Sequence, residues 1–342
     1  MYRLPAQNNL NIEAFGDLFK NTNTSYKYLF FQAILAYLQE TNFKKTDYSF
    51  TLLESKMLEI AEHSIKIYRL SFGSNDRVAR KLYNKFEKID LLKFVPYRLL
   101  SPFFTEQIKG LNATEIHKKI VNLSTQNSES LPIYQVIEKS ISLNAEWVAY
   151  FQKNFAIIEA WALWHWANYV QKKNPNVLAI LNKLQKPSER LSLQKQTKYW
   201  QTVLSAQPFN CIYSGNKLTP NNLSLDHFLP WSFIGHDQLW NLIPTAQNIN
   251  ASKSDNIPSM DKYLDNFIKM QKTGLEIAFN EMGKDYWQVN ISDFSVDFKM
   301  EFSDLRNPNN DIFVSKYKEI IVPLSVLAKN NGFNNEWTYK VK

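Results

Sequence analysis

The residues of this chain best able to act together chemically lie between Leu225 and Ser259. Asp226 and His227 are adjacent, Asn241 follows His227 by fourteen residues, Asn250 comes nine later and Lys253 three beyond that. A neutral histidine can accept a proton from water near neutral pH, because its unperturbed pKa lies there. One carboxylate and one amide oxygen are hard donors that suit a divalent cation, which keeps its other positions for water and substrate. Such a set could hydrolyse a phosphodiester, a reaction that needs an activated water and stabilised charge on the leaving oxygen. An isolated Asp-His pair would more often be a surface accident; the amides and the lysine at regular spacing give this one weight.

The elements that must position these groups follow from local pattern. A short apolar strand ends at Asp226-His227, and adjacent strand residues point to opposite faces, so both can serve one site only where the strand twists or ends. A proline and aromatic loop follows, then a second strand, WNLIP, opening near Asn241. A helix is expected from near Thr245, with Thr245 as its N-cap. Lys253, three residues past Asn250, would then share its face and point at a nearby phosphate or metal. His236, in the loop before Asn241, reads as a loop residue rather than a further contact.

The order His, Asn, Asn on strand, strand and helix resembles the HNH endonucleases and their ββα-metal fold. In motif the chain is most similar to the HNH domain of RNA-guided CRISPR effector nucleases, with which it shares a DH-x-x-P-x-S-F opening and a KSDN-x-PS close. Asp226, His227, Pro230, Ser232, Phe233, Asn241, Asn250 and the run Lys253, Ser254, Asp255, Asn256, Pro258 and Ser259 carry the match. The resemblance implies a catalytic set of His227, Asn241 and Lys253. His227 would be the general base and Asn241 the amide that braces the hairpin loop. It implies Asp226 and Asn250 as ligands of one Mg²⁺ or Mn²⁺. Many such domains carry Cys-x-x-Cys knuckles for structural zinc. Here Cys211 is followed by Ser214, so no zinc knuckle is expected and Cys211 should be a buried thiol. The likeness covers residues 205–260 only. The remainder does not resemble the guide-binding parts of CRISPR effectors, which by analogy points to a free-standing restriction or antiviral defence nuclease, with DNA as substrate and a defence subunit or second copy as possible partner.

At 342 residues with only 8 glycines, the chain has few turn punctuators and favours long helices. The expected architecture is mainly α. A helical domain (1–200) for recognition or partner binding precedes the HNH module (201–260), and a C-terminal helical region (261–342) packs on that module. Apolar residues at helical spacing predict helices over 25–40, 51–70, 143–172, 261–279 and 312–327, the last kinked or ended by Pro323. His63 and His117 read as structural, and the tryptophans at 161, 164 and 166 as core rather than a base-stacking surface. A single cysteine rules out an internal disulfide. The N-terminal residues lack a signal pattern and no apolar run reaches the ~18 residues of a membrane span, so a cytoplasmic protein is expected.

The net charge of +8 suggests a polyanionic partner. Positive side chains concentrate at Arg77–Lys88, read as a solvated helix face, and at Lys183, Lys186, Arg190, Lys195 and Lys198, just upstream of the candidate site. That second run also admits a catalytically silent DNA-binding or scaffold subunit, and the site itself would serve an RNA-directed nuclease equally well.

Overall fold

A computed structural model describes residues 4–84, 88–126, 131–184 and 192–340. Among these the fold is mainly α, as expected, and the chain divides into two compact units. The first reaches Pro175 and takes in Lys183 and Leu184; the second holds Asn176–Asn182 and the described chain from residue 192 onward.

The first unit contains α1 (Ile12–Gly16), α2 (Tyr26–Glu40), β1 (Asp47–Ser49), α3 (Phe50–Lys66), α4 (Val78–Tyr83), α5 (Val95–Leu99), α6 (Ala113–Thr125), β2 (Tyr134–Ile137), β3 (Ser140–Leu143), α7 (Ala145–Lys153) and α8 (Phe155–Lys173). Side-chain caps start several of these helices: Ser49 accepts from Leu52 N at the head of α3, and Asn112 and Glu115 form a reciprocal capping box on α6. Helix α2 is central, with Leu29, Phe30, Phe31, Ile34 and Leu38 fully buried.

Three expectations for this unit change. The long helix over 143–172 is two helices, because Asn154 leaves the helical conformation (φ −116°, ψ 22°) and its amide bonds back to Tyr150 O. Strands β1, β3 and β2 form a small antiparallel sheet that was not anticipated, since three- and four-residue strands show too little alternation to reveal themselves. Among the described residues of the Arg77–Lys88 stretch the helix is Val78–Tyr83, and Lys81 turns inward to the Glu54 carboxylate; Lys85 and Phe86 lie outside the described residues. The tryptophans are divided as core reasoning expects, except at one position. Trp166 is buried and Trp161 packs on Phe15 and Phe19, whereas Trp164 is 58% exposed.

The short α9 (Ile180–Leu184) carries Lys183, which corrects the reading of the second basic run. Lys183 is buried, its ammonium lies 5.9 Å from the Tyr68 ring centroid, and burial lowers its pKa to about 8. It is therefore no phosphate contact. Lys186 and Arg190 lie outside the described residues, while Lys195 and Lys198 are exposed.

The second unit holds α10 (Gln194–Ala206), β4 (Ser224–His227), α11 (Trp231–Ile234), β5 (Leu242–Thr245), α12 (Gln247–Lys253), α13 (Met260–Glu281), α14 (Lys284–Phe298), α15 (Phe302–Arg306) and α16 (Asn310–Asn330). One hydrophobic cluster runs from Tyr199 and Trp200 through the β4–β5 hairpin to Phe333, so α10 is built into this unit. Helix α14, over residues for which the periodicity predicts no helix, buries Trp287, Ile291, Phe294 and Phe298. Helix α16 runs through Pro323 instead of ending there; Pro323 is on the exposed face, where water can satisfy the carbonyl its ring leaves unbonded. No helix among the described residues is long and apolar enough to cross a membrane.

Helix α13 crosses α10 at Gly274, where an added Cβ would sit 3.1 Å from two ring atoms of the buried Trp200. Alanine normally gains about 1 kcal/mol over glycine within a helix, but overpacking a filled core costs about 1–3 kcal/mol. Crowding against a rigid indole decides the sign. Gly274→Ala should lower stability by about 1 kcal/mol, read as a reduced urea midpoint with an unchanged slope.

Candidate active site

The site is built on two four-residue strands. β4 and β5 pair antiparallel, with Asp226 opposite Ile243 and His227 opposite Leu242. His227 is the last residue of β4, and there the alternation of faces lapses. Both side chains line one cleft of about 590 Å³, together with Ser224, Asn250, Ser254 and Asp255. Leu193, Leu223, Pro230 and Trp231 form its apolar wall.

Asp226 is held at both carboxylate oxygens. Tyr213 Oη donates to Oδ2 at 2.6 Å and Lys253 Nζ to Oδ1 at 3.0 Å. Lys253 is fully buried, and its ammonium also donates to the His227 carbonyl at 2.6 Å. Of the two targets expected for Lys253, a nearby phosphate or a metal site, its ammonium is directed at Asp226, the residue expected to hold the metal, and Lys253 is not among the residues lining the cleft. Burial and the neighbouring Asp226 carboxylate hold the Tyr213 pKa well above the ordinary phenol value, so the hydroxyl stays a donor.

His227 Nε2 lies 2.8 Å from Asp237 Oδ1. A carboxylate accepts, so in the neutral imidazole this contact is made by the tautomer protonated at Nε2, which carries its lone pair on Nδ1. Asp237 comes from the loop between the strands, where its carbonyl accepts from Gln196 Nε2. His236, beside it, packs its ring against Trp240.

Asn241 stands in a single 3-10 turn, Leu239–Asn241, and not in the second strand. Its side chain closes a two-way bond with Leu229, Nδ2 to O and Oδ1 from N, both at 2.9 Å. Both amide atoms are spent on the backbone of a residue that is wholly buried, which makes Asn241 a brace with no reach into the cleft. The turn is fixed from outside: Leu239 N donates to Asp293 and the Trp240 indole to Asp297, both on α14, while Gln271 of α13 donates to the Leu242 carbonyl.

Asn250 on α12 donates from Nδ2 to Ser224 Oγ and to the Leu225 carbonyl, each at 2.9 Å. A carbonyl partner fixes which amide atom is nitrogen, leaving Oδ1 as the acceptor available to the cleft that Asn250 lines. Thr245 is not the cap of α12. It ends β5, and its hydroxyl meets Cys211 Sγ at 3.2 Å; Ala246 takes the cap position without a side-chain bond. Beyond Lys253, Ser254 adopts φ 47°, ψ −132°, a conformation that favours glycine, and the turn closes with Asn256 N on Lys253 O. That strained turn brings Ser254 and Asp255 to the cleft rim.

Where related domains carry a zinc knuckle, the chain folds a turn from Asn210 to Lys217, closed by Gly215 N on Cys211 O. Cys211 is a buried free thiol, as expected. No group of three or more His, Cys, Asp and Glu side chains able to hold a metal is found among the described residues. The turn is instead packed by Tyr213, whose ring meets Tyr263 at 5.1 Å and Trp337 at 5.3 Å, both edge-on. Tyr213 and Asp237 escaped the sequence reading. Only the position of Tyr213, two residues past Cys211, could have drawn attention to it.

Removing one partner of a buried ion pair leaves the other charge uncompensated, at a cost of about 3 kcal/mol or more. Lys253→Met should accordingly lower the unfolding free energy by about 3 kcal/mol in urea titrations, as befits a structural cation. Comparison with curated proteins and with solved structures gives no match. Residues 211–259 match the family model described as HNH endonuclease, and that match places a nuclease domain of the HNH kind in the second unit.

Proposed function

We propose that this chain is a metal-dependent DNA endonuclease in which His227 is the general base. One observation carries the reading: His227, oriented by Asp237, opens on the same cleft as Asp226 and Asn250. Nδ1 of His227 can take a proton from water, while the Asp237 carboxylate stabilises the imidazolium that forms. Asn241 holds the loop after β4 in register and Lys253 neutralises and orients Asp226, so these two act by positioning and not by touching substrate.

Asp226 and Asn250 are the residues that would hold a divalent ion. The donor chemistry fits: each carboxylate oxygen of Asp226 has one hydrogen-bond donor and so keeps a second lone pair, and Asn250 Oδ1 is uncommitted. When bound, Mg²⁺ or Mn²⁺ would supply charge stabilisation at the scissile phosphate and the leaving oxygen. The lining supports the need for it. The described residues of the cleft include two carboxylates, Asp226 and Asp255, and among them no lysine or arginine, so a phosphodiester would meet like charge there.

The exposed Lys195 and Lys198 are on α10, whose Thr197 lines the cleft, and they are the cations we assign to the flanking phosphates. A restriction or antiviral defence setting, with a defence subunit or second copy as partner, remains a proposal by analogy. Comparing modified with unmodified plasmid, and duplex with single-stranded DNA and RNA, separates that setting and the substrate class.

A positioned general base contributes about 10²–10⁴-fold. His227→Ala should therefore lose at least 10²-fold in plasmid cleavage with Mg²⁺ or Mn²⁺ while keeping its circular dichroism spectrum; full activity in this variant would remove the assignment. Asp237→Ala should lose about 10- to 10²-fold in kcat with little change in KM, because a misaligned base affects the chemical step more than binding.

A further inference from the structure

We infer that the segment Phe333–Tyr339 is a brace for the cleft's carboxylate, and that Tyr213 and Trp337 are positioning residues for Asp226. The inference rests on the reading that Asp226 holds a divalent ion, and the bracing segment Phe333–Tyr339 lies far outside the 211–259 stretch.

The segment is stitched by its backbone to the chain that leaves the cleft. Ile257 N donates to Asn334 O at 2.8 Å, Trp337 N to Ile257 O at 3.0 Å and Ser259 N to Trp337 O at 2.9 Å, making a parallel bridge across Pro258. Tyr339 N adds a bond to Tyr263 Oη at 3.0 Å. This pairing seats the Trp337 ring at 6.3 Å from Tyr263 and edge-on to Tyr213 at 5.3 Å. Three aromatic side chains thus pack on one another, and the hydroxyl of Tyr213 reaches Asp226 Oδ2.

Two donors, one per oxygen, fix the plane of a carboxylate. Lys253 ends a flexible stem, whereas Tyr213 is a rigid ring whose orientation depends on its neighbours. Without the phenol hydroxyl the Asp226 carboxylate can turn about its last side-chain bond, and the lone pairs facing the cleft lose their alignment. Without Trp337 the Tyr213 ring loses the wall that holds it. The aromatic cluster fixes the Asn210–Lys217 turn against the strand that carries Asp226.

The test is Mn²⁺ affinity by titration calorimetry on the full chain, for wild type, Tyr213→Phe, Trp337→Ala, Trp337→Phe and the Tyr213→Phe/Trp337→Ala double variant, with Asp226→Ala marking the site. Loss of a group that orients a metal ligand typically costs 10–100-fold in affinity, so Tyr213→Phe and Trp337→Ala should each weaken Mn²⁺ about 10-fold or more. Trp337→Phe should recover most of that loss. Because both residues act through one hydroxyl, the double variant should bind no more weakly than Tyr213→Phe alone. Wild-type affinity in Tyr213→Phe, or additive losses in the double variant, would overturn the inference and leave the metal reading standing. A wild-type chain that binds no Mn²⁺ overturns the metal reading itself and the inference with it. Tyr213→Phe keeps the ring and its packing, so the outcome does not hang on whether Trp337→Ala folds.

Discussion

The second unit is organised around a buried negative charge. Asp226 is 2% exposed, and a carboxylate taken out of water costs several kcal/mol unless it is paired and its lone pairs are used. The partners come from three separate pieces of chain: strand β4 supplies Asp226, α12 supplies Lys253 and the knuckle turn supplies Tyr213. Bringing those pieces to one point determines where the hairpin, the helix and the turn must lie. Lys253 does this twice over, since the same ammonium holds the His227 carbonyl and so fixes the backbone of the residue that follows Asp226.

A two-stranded ribbon of four-residue strands is at best marginal by itself, and the rest of the unit exists in large part to hold it. Asp293 and Asp297 on α14 and Gln271 on α13 bind the turn before β5, and Asn241 passes that constraint to Leu229. Burial raises the Asp293 pKa, a sign of how far this side chain is drawn from solvent to make its contact. Helices carry the rigidity, and the hairpin carries the chemistry.

The site was legible where it is local and illegible where it is tertiary. Asp226, His227, Asn241 and Asn250 sit at spacings that a hairpin and one helical turn impose, so their order in the chain announced their convergence. The two contacts that tune the site, Tyr213 on Asp226 and Asp237 on His227, are thirteen and ten residues away across turns of no regular period, and nothing in these separations betrays them. The same distinction explains the mainly α fold, visible through helical periodicity, and the missed β1–β3–β2 sheet. It explains Thr245 as well: a hydroxyl ahead of a helix reads as a cap, but the nearby thiol of Cys211 had the stronger claim.

Charge shows why composition and site must be argued separately. The formal +8 suggests a basic face, yet Lys183 lies buried against Tyr68 and Lys27 is drawn into the first unit, where burial lowers its pKa to about 8. Lys253 is fully buried and already neutralised by Asp226. Each of these cations counts toward the net charge, and Lys183 and Lys253 are too deeply buried to meet a phosphate. Among the described residues, what a polyanion would encounter at the cleft is two carboxylates, an imidazole, three hydroxyls and one amide, with exposed lysines on the adjoining α10. Attraction at long range and chemistry at short range are therefore supplied by different residues. For the phosphodiester substrate we propose, a divalent ion held by Asp226 and Asn250 would offset the negative charge at the cleft, because Lys253 is already committed to Asp226 and screening over a few ångströms is weak.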